Sequence, residues 1–142
     1  LKVRDVMTSS VSTARENSSI QEVANQMKNL DVGSIPVCDS NNRPVGIVTD
    51  RDIVLRNVAQ GQDGNTAVRN VMSTKIVSVT PDTDVHQAAK IMAENQVRRL
   101  PVVENGKVIG MLSIGDLAVR DIYVNEAGSA LSNISQPVKS MR

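Results

Sequence analysis

Two short stretches carry residues whose types and spacing could do chemistry. They are Gly46-Ile47-Val48-Thr49-Asp50-Arg51-Asp52 and Gly110-Met111-Leu112-Ser113-Ile114-Gly115-Asp116. In each, an apolar strand-like run ends in a hydroxyl residue, an Asp follows three positions later, and a helical pattern begins there. The first turn of a helix presents unpaired backbone N–H groups and a positive dipole end, which suits phosphate. A Thr or Ser hydroxyl there can donate to a phosphate oxygen. A carboxylate can accept both hydrogens of a ribose cis diol. Thr49 with Asp52, and Ser113 with Asp116, therefore have the makings of a ribose-phosphate reader, with Gly46 and Gly110 permitting close backbone approach. The same hydroxyl-x-x-Asp spacing is also a capping box, which needs no ligand. A duplicated segment copies caps as readily as sites, so spacing alone leaves both readings standing.

Arg98-Arg99 stands directly before Leu100-Pro101-Val102. It reads as a pair of cations for a polyphosphate beside an apolar segment that could shelve a base. The plain alternative is a solvated strand end, the usual fate of adjacent charges. Arg51, inside the first turn, is a third candidate cation, with simple exposure as its alternative. Asp50 is expected to cap the helix. His86 is the only histidine. With no His or Cys companion it supports neither a metal site nor a Cys–His pair. No Ser–His–Asp set, placed carboxylate pair or phosphate-loop motif is found, so the expectation is a protein that is not an enzyme.

The elements that must position these residues come as an internal repeat. Val3-Arg4-Asp5-Val6-Met7 returns as Val68-Arg69-Asn70-Val71-Met72, and Ile35-Pro36-Val37 as Leu100-Pro101-Val102. Ile20, Ala24, Met27 and Val32 match Val85, Ala89, Met92 and Val97; after a one-residue gap, Gly46, Thr49, Asp52 and Arg56 match Gly110, Ser113, Asp116 and Arg120. Each copy reads strand, helix, strand, strand, helix. Val11–Ala14 and Ile76–Thr80 are the opening strand candidates. Ser19 with Glu22, and Asp84 with Gln87, predict boxed helix starts. Ile20, Val23, Ala24, Met27 and Leu30 share one helical face, as do Val85, Ala88, Ala89 and Met92. Residues 34–38 and 43–49 predict a strand pair, and Asn105-Gly106 a tighter hairpin in the second copy. Pro36 and Pro101 place a break or an edge in their strands. The closing helices are expected over roughly 51–59 and 115–124. Residues 1–60 and 68–125 form the repeats, residues 61–67 the linker, and residues 126–142 a partly ordered tail.

The 142 residues suit one compact domain or two small ones. Net charge is +1 and Tyr123 is the only aromatic residue, so the core must be aliphatic. Balanced charge and missing stacking platforms argue against nucleic acid as a partner. No apolar run approaches membrane-spanning length, and no signal-peptide pattern precedes Val3. Cys38 is alone and reads as a buried thiol, which points to the cytoplasm. The chain opens on Leu1 rather than Met, which leaves room for a start upstream of it.

Val6-Met7, Val32-Gly33-Ser34-Ile35-Pro36-Val37 and the first hydroxyl stretch are echoed by Val71-Met72, Arg98-Arg99-Leu100-Pro101-Val102 and the second. In this order, twice over, they resemble a tandem pair of CBS domains, the regulatory unit called a Bateman module. The resemblance implies a mixed α/β (α+β) fold of two βαββα units packed by pseudo-twofold symmetry, commonly in a homodimer. It implies an adenosine-containing regulatory ligand (AMP, ADP, ATP, S-adenosylmethionine or NAD) in clefts between the repeats, with no cofactor required. It assigns phosphate and ribose to Thr49 with Asp52 and to Ser113 with Asp116. Phosphate falls to Arg98 and Arg99, adenine to the backbone near Thr13 and Ser78, and an apolar wall to Ile35 and Leu100. Gly33-Ser34 stands where the second copy has Arg98-Arg99, so the two sites are expected to differ, the arginine pair serving the phosphorylated ligand. The function expected is an adenosyl-ligand or energy sensor that signals to a protein effector. A structural dimerisation scaffold is the rival.

Overall fold

The computed structural model describes residues 1–118, which form two compact units. In chain order the elements are α1 (Val3–Val6), β1 (Thr8–Ser9), β2 (Ala14–Arg15), α2 (Ile20–Leu30), β3 (Ser34–Cys38), β4 (Pro44–Thr49), α3 (Asp50–Ile53), α4 (Val85–Asn95), β5 (Arg99–Glu104), β6 (Lys107–Ser113) and α5 (Ile114–Ala118). A π-helical turn, Val54–Val58, continues α3, and a 3-10 turn spans Val68–Asn70. The architecture is mixed α+β, with 3-stranded sheets ordered β2-β3-β4 and β1-β6-β5. The expected tail, residues 126–142, lies outside the described residues, as do Arg120, Tyr123 and the end of the last expected helix.

The first-repeat unit comprises Ser10–Ile76 with Asn105–Val108. Its helix α2 starts where expected: Ser19 Oγ accepts the Glu22 N–H at 3.1 Å. The cap is one-sided, because Glu22 makes no return bond to the Ser19 backbone. Ile20, Val23 and Met27 are buried as the periodicity predicts, but Leu30 is 49% exposed. Asp31 adopts φ 54 and turns the chain away, so the last turn of α2 projects beyond the core. Strand β3 lies between β2, parallel, and β4, antiparallel. The parallel ladder begins at Val37, so the N–H that Pro36 lacks falls just where that ladder stops. Opening strand β2 is shorter and later than the expected 11–14.

The second-repeat unit comprises Leu1–Ser9, Val77–Glu104 and residues 109–118. Here the opening strand shrinks to a single parallel bridge, Val79 with Val102. Helix α4 buries Val85, Ala88, Ala89 and Met92 as expected. Its Asp84 cap accepts the N–H of His86 rather than that of Gln87. Asn105 (φ 54) and Gly106 (φ 77) make the expected tight hairpin between β5 and β6. Outside the core, Arg4 and Asp82 form an exposed ion pair, which raises the Arg4 pKa and holds the Asp82 carboxyl below its ordinary range.

The lead-in segments are exchanged between the cores. Val3, fully buried, sits with Val79, Val85, Met92 and Leu112 of the second-repeat core. Val68 and Val71, its repeat equivalents, sit with Val23, Ile35 and Val48 of the first-repeat core. The backbone follows the side chains. Val3 N–H donates to Thr83 O, and Thr8 pairs with Met111; in the other unit Val68 N–H donates to Ser18 O, and Ile47 pairs with Ser73.

Candidate functional site

Both hydroxyl–carboxylate pairs occupy the corner where the last strand of a repeat becomes a helix. In the first-repeat unit Thr49 is the N-cap, in extended conformation. Its Oγ1 accepts the Asp52 N–H at 3.0 Å, and Asp52 Oδ2 accepts the Thr49 N–H at 2.9 Å. In the second-repeat unit Ser113 Oγ accepts the Asp116 N–H at 3.1 Å, and Asp116 Oδ2 accepts the Ser113 N–H at 2.8 Å. The capping-box reading is thus met in full at both corners.

The box does not consume the groups a ligand would use. Each hydroxyl spends an acceptor lone pair and keeps its proton to donate; each carboxylate engages one oxygen in the box. Two reciprocal bonds fix both side-chain rotamers, so a ligand would meet them already oriented and lose less entropy on binding. All four side chains are half-buried, within reach of solvent.

The same backbone bond ties each corner to the start of the preceding strand. Asp50 N–H donates to Gly33 O at 3.0 Å, and Ile114 N–H donates to Arg98 O at 2.9 Å. Arg98, exposed, is thereby held beside Ser113 and Asp116, with Arg99 half-buried as the first residue of β5. In the first corner Ser34 lies directly across from Thr49 in the β3–β4 ladder. Its Oγ is sealed from solvent and has no hydrogen-bond partner.

The remaining predicted residues take different places. Arg51 is exposed, and its N–H donates to Asp50 Oδ1 at 2.8 Å. Thr13 is half-buried just before β2, and its carbonyl accepts from Gln26 Nε2 at 3.0 Å. Ser78 is exposed beside the Val79 bridge. Ile35 and Leu100 are buried in their cores at 1% and 0% exposure, and Pro101 is also buried. They support the strand from inside.

Two expectations change. Asp50 does not cap α3: Thr49 does, and Asp50 is the first helical residue. Gly46 and Gly110 do permit close backbone approach, but to the chain itself. A Cβ at Gly46 would lie 2.9 Å from Ser73 O, and one at Gly110 would lie 2.7 Å from Thr8 O. Those carbonyls belong to the exchanged lead-in segments. Arg56 was not singled out by chemistry. Its Nε lies 4.0 Å from Asp52 Oδ1 and its guanidinium donates to Val71 O at 3.3 Å. The Asp-x-x-x-Arg spacing, one helical turn, was the available signal. Asn57, the one buried polar residue among the described residues, donates to Asp63 O and accepts from Gln60 and Gln62 N–H at the end of the π-turn.

Among the described residues no cluster of His, Cys, Asp and Glu suits a metal ion, and no helix is long and apolar enough to cross a membrane.

Comparison with known proteins gives concordant results. The family model described as "CBS domain" matches twice, at residues 3–57 and 68–122. The CBS domain-containing protein YhcV of Bacillus subtilis is 47% identical over 133 residues, covering 94% of each chain. Among solved structures, the CBS domain pair of protein MJ0100, in complex with 5'-methylthioadenosine and S-adenosyl-L-methionine, superposes with TM-score 0.76 at 25% identity, covering 84% of this chain and 94% of that one. CBSX2 in complex with AMP superposes with TM-score 0.76 at 26% identity, covering 87% and 98%.

Proposed function

This chain belongs to the CBS-domain family, and on that premise we propose that it is a non-catalytic regulatory module for an adenosine-containing ligand. AMP, ADP, ATP, S-adenosylmethionine and NAD share the adenosyl group such a module would read. The observation that carries this reading is the pre-oriented box at both corners, Thr49 with Asp52 and Ser113 with Asp116. In each, a carboxylate oxygen would take the ribose diol while the hydroxyl donates to phosphate. Arg98 and Arg99 would serve the phosphate at the second corner, and Arg51 would lie at the edge of the first. Thr13 and Ser78 would present backbone to the adenine, over strands that Ile35, Leu100 and Pro101 hold in place. The relatives solved with AMP and with S-adenosylmethionine make this ligand class the natural one to test.

Signalling requires that the ligand bind two arrangements of the protein with different affinity. A protein effector in the cytoplasm would read the shift. Calorimetry with AMP, ATP and S-adenosylmethionine tests the reading. Binding of at least one, weakened about tenfold or more for the nucleotides by Arg98→Ala/Arg99→Ala, is expected.

A second reading, a dimerisation scaffold, is favoured by one observation. Val54, Leu55 and Val58 expose 56%, 44% and 65% of their surface on the turns that continue α3, an apolar face suited to a second copy. A thermal-shift screen separates the readings: a scaffold gains no stability from any adenosyl compound, whereas a sensor gains it as RT ln(1 + [L]/Kd).

A further inference from the structure

The two corners share their backbone bonds and their capping boxes, yet their charges are placed differently. The first holds Gly33, Ser34, Thr49, Asp50, Arg51 and Asp52, with Arg56 Nε 4.0 Å from Asp52 Oδ1, so among the described residues the carboxylate with no cation drawn to it is Asp50's. The second holds Arg98, Arg99, Ser113, Ile114, Gly115 and Asp116: two guanidiniums and one carboxylate. The difference is built in at two linked positions. Gly33 and Arg98 accept the equivalent helix-start N–H groups, from Asp50 and Ile114 respectively.

The linkage at the first corner is steric as well as electrostatic. The Asp50 carboxylate lies over Gly33: a Cβ there would meet Asp50 Oδ2 at 3.2 Å and Cγ at 3.5 Å. Asp50 Oδ1 is held by the Arg51 N–H. The carboxylate thus occupies the space into which a side chain at position 33 would begin to grow. Where the second corner offers a guanidinium, the first offers an exposed negative charge.

We infer that Asp50 sets the ligand charge of the first corner, making it select adenosyl ligands without phosphate, neutral or cationic, while the second corner takes the phosphorylated ones. The inference rests on the adenosyl-ligand reading above and deepens it. A phosphate monoester brings close to two negative charges near neutral pH. Near a surface carboxylate, its repulsion after screening amounts to about tenfold in affinity. An uncharged nucleoside feels none of it, and a sulfonium such as that of S-adenosylmethionine is attracted.

The test isolates the first corner by removing the second corner's ribose carboxylate, with Asp116→Ala and, to guard against loss of the cap, Asp116→Asn as a second background. Calorimetry then compares adenosine, AMP and S-adenosylmethionine. The expected result is that the first corner binds adenosine and S-adenosylmethionine about tenfold or more tightly than AMP. Adding Asp50→Asn, an exposed position whose change leaves the core untouched, is expected to raise AMP affinity about tenfold and leave adenosine unchanged. Equal affinity for AMP and adenosine with Asp50 intact overturns the inference, as does an Asp50→Asn variant that shifts both ligands alike. If none of the three binds even the unaltered chain, the adenosyl-ligand reading itself falls.

Discussion

Replacing Gly46 by alanine tests the packing that ties the site to the rest of its unit. An ideal Cβ at Gly46 lies 2.6 Å from Met72 Sδ, 2.9 Å from Ser73 O and 3.0 Å from Met72 Cγ. The thioether can swing aside at little cost. The carbonyl cannot, because Ser73 is bonded to Ile47 in both directions, at 2.9 and 2.8 Å. Two outcomes are open to the chain. It can keep the pair and carry overpacking strain of about 1–3 kcal/mol. Or it can let residues 72–73 lift off β4, which loses two backbone hydrogen bonds of about 1 kcal/mol each and loosens Val71 in the core. The chain takes the cheaper route, so the loss is about 1–3 kcal/mol, a large share of the roughly 5–15 kcal/mol typical of a folded protein. In a chain of this size that lowers Tm by about 3–10 °C. The control is Gly106→Ala, where φ is +77 and nothing lies within 4 Å of the new methyl. Only left-handed strain applies there, about 1 kcal/mol. Urea unfolding followed by circular dichroism measures both. Should Gly46→Ala cost no more than Gly106→Ala, the close approach of the exchanged segment is refuted. Gly110→Ala, with Thr8 O at 2.7 Å, is expected to behave like Gly46→Ala.

Further outcomes follow from other parts of the structure. Thr49→Ala removes the hydroxyl half of a capping box and is expected to cost about 1 kcal/mol, with Thr49→Ser close to neutral; equal losses in urea titrations would contradict the cap. Burial, reinforced by the Asp39 charge, pushes the Cys38 thiol pKa up. Iodoacetamide at pH 8 should therefore label the native chain far more slowly than the urea-unfolded one, and equal rates would refute the burial. The Asp39 carboxyl is held below its ordinary range, first by the Arg43 N–H and then by the Asn41 N–H. A depressed folded pKa means stabilisation that is complete above the unfolded value, about 3.9, and is lost as pH falls through the folded value. Asp39→Asn should therefore trail the unaltered chain at neutral pH and converge with it in acid. A gap that is constant across pH would show that charge plays no part.

Much of this was legible in the sequence because it is local. A hydroxyl three residues before an Asp closes a box with no help from the rest of the chain, and it did so at both Thr49 and Ser113. The helical face of α4 and the Asn105-Gly106 turn likewise need only their own residues. The end of α2 was less legible. Whether Leu30 is covered depends on where Asp31 turns the chain, and periodicity does not reveal that. The role of Asp50 was hidden for a similar reason, since it depends on Gly33, far away in sequence, offering an unfilled space.

By itself the sequence determined that there are two copies of one unit, what each is made of, and which residues open each closing helix. Those follow from periods and spacings within a few turns of chain. Only the tertiary structure decided which core each lead-in segment joins: Val3 the second, Val68 and Val71 the first. Equivalent segments carry nearly the same apolar pattern, so either core could accept either one. The choice is made by long-range backbone pairing, Thr8 with Met111 and Ile47 with Ser73, at glycines that leave room for it.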